Sequence, residues 1–144
     1  MARMYAQLFT LVFIVVTLGG LALGDASHVS GGQAGGNLDG LTLHMTWGRD
    51  VLDGVLLVVL AAAGFAASRN LGAVLVVAAG AVLVAFGVYG FVVGDDAMAT
   101  RGFADLHFPT AIDVFDLVVG VLAALSGGVT LADQPEPVAP RRVL

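Results

Sequence analysis

Four apolar runs divide the chain, at roughly Tyr5–Leu23, Asp50–Ala67, Leu71–Val93 and Ile112–Leu131. Each is close to the length that a helix needs to cross a bilayer, about 20 residues. The runs are continuous rather than alternating, which predicts helices and not the strands of a membrane barrel. Only Ser68, Arg69 and Asn70 separate the second run from the third, so these two form a tight helical hairpin. The predicted fold class is therefore an all-α membrane protein of four transmembrane helices. Residues 1–132 make one domain, and residues 133–144, with "DQPEPVAPRR", make a short Pro-rich cytoplasmic tail without fixed structure.

The polar positions repeat. "LHMTWGRDVLDGVLLVVLAAAG" (Leu43–Gly64) and "LHFPTAIDVFDLVVGVLAALSG" (Leu106–Gly127) agree at nine of 22 positions, among them His44/His107, Asp50/Asp113 and Asp53/Asp116. The odd runs echo each other too: "GLALGDA" (Gly20–Ala26) closes the first and "GFVVGDD" (Gly90–Asp96) the third. The unit is a helix ending in GxxxGD, a loop, Leu-His, and a helix opening with DxxD. It spans about 5–67 and again about 71–131. With two spans per unit, both copies enter the membrane in the same direction, as parallel hairpin repeats related by an axis along the membrane normal. The pairs Gly20/Gly24 and Gly90/Gly94, with Gly72, Gly80 and Gly87, are the small residues that let helices approach closely in lipid. They serve either the packing of the bundle itself or a homo-oligomer interface.

Composition strengthens the membrane reading. The chain has 144 residues, 58% hydrophobic and only 12% charged. Its mean hydropathy is +0.96. A soluble domain carries about 25% charged residues. No cysteine is present, which removes disulfides and thiolate metal sites. All six basic residues are Arg and ten of the eleven acids are Asp, a bias that suits a GC-rich prokaryotic genome, including a halophile's. The net charge of −5 argues against a nucleic-acid partner. Arg3, Arg69, Arg141 and Arg142 fall on one side of the predicted spans, and Arg49 and Arg101 on the other. By the positive-inside rule both termini are cytoplasmic, in a multi-pass protein of the cell membrane. Read alone, the first run also fits a secretory signal, with Arg3 as its basic start and "ALG" as a cleavage site. Its echo in the third run favours a retained helix.

The candidate chemistry lies at the two repeated mouths, His44, Asp50 and Asp53 in one, His107, Asp113 and Asp116 in the other. Each Asp pair is spaced i, i+3 and shares a helix face. One reading makes them helix-start signals, since carboxylates favour the positive N-terminal end. Thr110 and Asp113 then form a capping box, and Arg49 pairs with Asp53 at i, i+4. A cap needs one acid, however, and the second Asp of each pair lies a turn further in. Asp53 and Asp116 are therefore expected to face the bundle interior, where the His and Asp side chains make a buried polar cluster. The third reading is a ligand site for a divalent metal such as zinc, or for haem held between two histidines. No cofactor is predicted from the residues themselves, which lack HxxxH or HExxH spacing. His28 has no repeat partner and is assigned to a loop; no nucleophile motif is present, and Ser126 lies toward the wrong end of its helix. The Gly-rich "SGGQAGGNLDG" (Ser30–Gly40) lacks the Lys-Ser/Thr of a phosphate loop and reads as a flexible outer loop. Trp47, Phe103 and Phe108 fall where an outer interfacial aromatic belt belongs.

With Leu-His opening the second and fourth spans and Asp beside it, the pattern resembles a prokaryotic family of small four-helix integral membrane proteins, a domain of unknown function. The resemblance covers nearly the whole chain and implies the four-span fold. It places the family's motif on His44, Asp50 and Asp53 and on His107, Asp113 and Asp116. This chain departs from the family by having Asp53 and Asp116 where the pattern has further histidines. The expected role is non-enzymatic: a structural or accessory component of a membrane or membrane complex, with the lipid bilayer and a homo-oligomer or larger assembly as partners. The alternative is a metal- or haem-binding or transport-related protein with its His/Asp site at the extracytoplasmic mouth.

Overall fold

The computed structural model describes residues 1–23, 37–38, 41–42, 47–93 and 110–133. Four helices account for almost all of these residues: α1 (Ala2–Leu23), α2 (Trp47–Ala61), α3 (Arg69–Val93) and α4 (Thr110–Ala132). Three of them, α1, α3 and α4, are long and apolar enough to cross a membrane. The second apolar run behaves differently. Its α-helical part, α2, is 15 residues long and continues as a five-residue π-helix over Ala62–Ala66. The wider turn closes with the Ala67 N–H donating to the Ala62 carbonyl at 2.7 Å.

One departure from the all-α expectation lies in the loop before α2. Strands β1 (Asn37–Leu38) and β2 (Leu41–Thr42) pair antiparallel, Asn37 opposite Thr42 and Leu38 opposite Leu41. The sequence signal was present: Asp39-Gly40 between two short apolar stretches is a two-residue hairpin signature.

The distribution of side chains is the reverse of a soluble domain's. Large apolar residues face outward: Leu8, Leu11, Val15 and Leu18 on α1, Val51, Val55 and Val58 on α2, Val118, Leu122 and Leu125 on α4. Among the described residues, the interior holds Phe13, Leu56, Leu60, Val76 and Leu83 together with an arginine and four aspartates. In water such a surface would drive aggregation, and such an interior would desolvate charge with nothing gained. Against hydrocarbon, both are the favourable arrangement.

Helix α3 makes its largest interface with α4, and α1 with α2 and its π-helical continuation. Glycine sets the α3–α4 distance. A Cβ at Gly80 would lie 2.6 Å from the Gly120 carbonyl oxygen, and one at Gly120 2.8 Å from that of Gly80. One turn pair to either side, Gly87 meets the Asp113 carbonyl and Gly127 meets the Ala73 carbonyl, each at 2.8 Å from the missing Cβ. The contacts recur every seven residues along both helices, the repeat of a left-handed crossing. Gly80 and Gly87 therefore act as close-packing residues. Gly72 faces the Ala63 carbonyl instead of α4.

Helix termini gather at two ends. At one, Ala2 N–H donates to Thr130 Oγ1 (2.9 Å), while Arg3 Nε and Gln7 Nε2 both donate to the Gly64 carbonyl (3.1 Å each). Arg69 pairs there with Asp133 at 3.0 Å, largely exposed. Arg3 and Arg69 thus share an end. At the opposite end lie Arg49 and the first turns of α2 and α4.

Candidate functional site

The start of α2 reads Trp47-Gly-Arg-Asp-Val-Leu-Asp and that of α4 Thr110-Ala-Ile-Asp-Val-Phe-Asp. In a helix, positions three and four apart share a face, so Arg49, Asp50 and Asp53 form one inward patch and Asp113 with Asp116 another. All five are buried. Asp53 is 1% and Asp116 0% exposed, and Arg49 3%. Each second aspartate sits six residues into its helix, about 9 Å along the axis. The inward orientation expected for Asp53 and Asp116 is what the structure has. Asp50 and Asp113 are buried with them, which the helix-start reading, placing them at the water interface, does not anticipate.

Arg49 organises the patch. Its Nη1 donates to Asp116 Oδ2 and its Nη2 to Asp116 Oδ1, both at 2.6 Å. This is a two-pronged guanidinium–carboxylate pair, about twice as strong as a neutral hydrogen bond. The remaining edge turns back on its own helix. Nε donates to Asp53 Oδ2 at 3.3 Å and lies 3.1 Å from Oδ1. The expected i, i+4 pair with Asp53 is therefore present, but it is the looser of the two. The tighter bond links residues 67 apart in sequence.

That bond spans a gap between helices. Among the described residues, α2 and α4 share no close backbone interface comparable to α3–α4 or α1–α2. A long side chain crosses where the backbones do not meet. Asp113 is placed by a different device. Its carboxylate occupies the space that a side chain at Gly90 would need, so the third helix keeps a glycine there. The neighbour of Gly90 is thus the Asp113 side chain. Gly20 lies within α1, and Gly24 and Gly94 lie outside the described residues.

His44 and His107, and also His28, lie outside the described residues, as do Phe103 and Phe108. Among the described residues no three metal-ligating side chains converge. What does stand among the carboxylates is the Arg49 guanidinium, held by Asp53 and Asp116.

Sequence reasoning named all five as candidates or pairing partners: Asp50, Asp53, Asp113, Asp116 and, for Asp53 alone, Arg49. It missed Arg49 as the bridge between the repeats, and it missed Thr17, a buried hydroxyl near the same end of α1. A signal for Arg49 exists. In the repeat alignment its counterpart is Ile112, so one half supplies a cation and the other none, while both supply the aspartate.

No family model, no curated protein and no solved structure matches this chain.

Proposed function

We propose that the chain is a four-span integral membrane protein with a structural or accessory role and no catalytic activity, in which two parallel hairpins, α1–α2 and α3–α4, are joined by Arg49. The observation that carries this reading is the inverted burial pattern: apolar side chains outward, and one guanidinium with four aspartates inward. Helix α2 and its π-helical continuation together run from Trp47 to Ala66, 20 residues, which is the length of a span. The pairing of Arg49 with Asp53 and with its repeat counterpart Asp116 supports a bundle in which the two halves meet about a common axis.

The orientation puts both termini in the cytoplasm and the Arg49 end outside. Burial of Arg49 sharpens the charge argument, because a paired arginine inside the bundle is no longer a loop charge. Arg101 alone then stands against Arg3, Arg69, Arg141 and Arg142. The chain contains no cysteine, so single cysteines report without background. Placed at Gly35 or Ala97, a cysteine is expected to react with a membrane-impermeant maleimide added outside intact cells. One placed at Ser68 reacts only after the membrane is opened. Labelling of Ser68→Cys from outside, with Gly35→Cys protected, overturns the orientation, and labelling of all three from outside overturns the four spans.

A further inference from the structure

Arg3 lies in the first turn of α1 with its side chain exposed. Its Nε donates to the Gly64 carbonyl at 3.1 Å, and Gln7 Nε2, one turn along the same face, donates to that same oxygen. Gly64 stands in the π-helix that ends α2, where the last carbonyls of a helix lack partners of their own. Arg3 therefore caps a neighbouring helix with one nitrogen, and that bond holds its guanidinium in place.

The other two nitrogens are uncommitted. Among the described residues, Nη1 and Nη2 of Arg3 meet no carboxylate and no other acceptor. The remaining described arginines are both neutralised, Arg49 by Asp53 and Asp116 and Arg69 by Asp133. In a chain of net charge −5, Arg3 is thus the described arginine left without a counter-ion. The end of the π-helix offers it about half a negative charge at most. The two nitrogens form the planar fork that matches two oxygens of a phosphate. The residues next to it are apolar and exposed: Met4 and Leu8 on α1, and Phe65 beside Gly64. Leu11, Val15 and Leu18 continue the exposed α1 stripe away from this end. A single charge at the head of a continuous apolar strip matches a phospholipid and not a soluble anion.

We infer that Arg3 is a headgroup site for an anionic phospholipid, with Nη1 and Nη2 on two phosphate oxygens, Nε on the Gly64 carbonyl, and an acyl chain along Met4, Leu8, Leu11 and Val15. A zwitterionic headgroup carries its own ammonium beside the phosphate and gains less from the guanidinium. An anionic headgroup brings the counter-ion that the described residues do not supply. The site rests on the membrane-embedded reading of the chain and is independent of which way the chain faces.

The test is native mass spectrometry of the full chain in detergent micelles, titrated with phosphatidylglycerol or with phosphatidylcholine. The proteins compared are wild type, Arg3→Gln, Met4→Glu and Arg69→Gln. Wild type is expected to hold its first phosphatidylglycerol at least about fivefold more tightly than phosphatidylcholine, the worth of one arginine at an anionic surface. Arg3→Gln keeps an amide for the Gly64 carbonyl, removes the fork, and is expected to abolish the preference. Should it fail to fold, Met4→Glu decides, because a carboxylate at this exposed neighbouring position opposes an anionic headgroup and must reduce the preference. Arg69→Gln, whose arginine already holds Asp133, is expected to retain it. Three results overturn the site: equal binding of the two lipids by wild type, an unchanged preference in Arg3→Gln or Met4→Glu, or an equal loss in Arg69→Gln. So does displacement of bound phosphatidylglycerol by inorganic phosphate, which would mark a soluble anion as the ligand. A chain that stays soluble without detergent and binds neither lipid overturns the membrane reading along with the site, whereas equal binding of both lipids overturns the site alone.

Discussion

Arg49 is the residue on which the interior depends. With the guanidinium present, Asp116 has two short charge-assisted bonds and Asp53 one longer bond. With it removed, two carboxylates remain buried without compensation, a loss that costs about 3–5 kcal/mol when one partner of a buried pair is deleted. Arg49→Ala is therefore expected to lower the unfolding free energy by about that amount, measured by denaturant titration in micelles. Arg69→Ala removes an exposed pair with Asp133 and is expected to cost under about 1 kcal/mol in the same assay. Equal losses in the two variants would contradict the distinction. Arg49→Lys is not a conservative replacement, since an ammonium cannot hold both Asp116 oxygens in one plane and Asp53 as well. At this scale the aspartates were legible in the sequence, because a duplicated DxxD at the head of an apolar run has no other use for its second acid. The bridge was not. Periodicity relates a residue to its neighbours three and four away, and so it found Asp53; a partner 67 positions distant depends on how helices dock.

Among the elements, the α3–α4 interface is the most constrained. Gly80 and Gly120 meet with their backbones in mutual contact, and the seven-residue spacing repeats this at Gly87 and Gly127. Gly80→Leu and Gly120→Leu must each force the helices apart and are expected to destabilise by at least about 1–3 kcal/mol, the usual cost of overpacking. Gly128→Leu faces open space one position away and is expected to leave the melting temperature unchanged. A comparable drop for Gly128→Leu would contradict the interface. The glycine spacing was visible in the sequence as a small-residue pattern, but which partner each glycine meets was not, as Gly72 shows by packing on Ala63. The π-helix over Ala62–Ala66 was illegible for a plainer reason. Ala-Ala-Gly-Phe-Ala is compatible with an ordinary α-helix, and the wider turn is seen only with the Gly64 carbonyl taking donors from Arg3 and Gln7. The short hairpin at Leu38 and Leu41 was legible through Asp39-Gly40 and was outweighed by the glycines around it.

For the whole molecule, three helices have the length and composition of membrane spans, and the fourth reaches that length by joining α2 to its π-helical extension. On the proposed reading, the duplicated sequence becomes two hairpins whose related mouths are not used identically. One supplies Arg49, the other Ile112, and a single cation serves the aspartates of both. Breaking the symmetry in this way fixes which hairpin faces which, as a single buried polar residue fixes register in other helical assemblies. The central claim is thus that Arg49 and Asp116 act as one unit joining the halves. A double-mutant cycle measures it most directly, with Arg49→Met, Asp116→Leu and the double variant unfolded in the same micelles. The account predicts that each single variant costs several times more than the double variant relative to either alone, a coupling of at least about 1 kcal/mol. Additive losses, with the double variant as unstable as the sum of the singles, would contradict it.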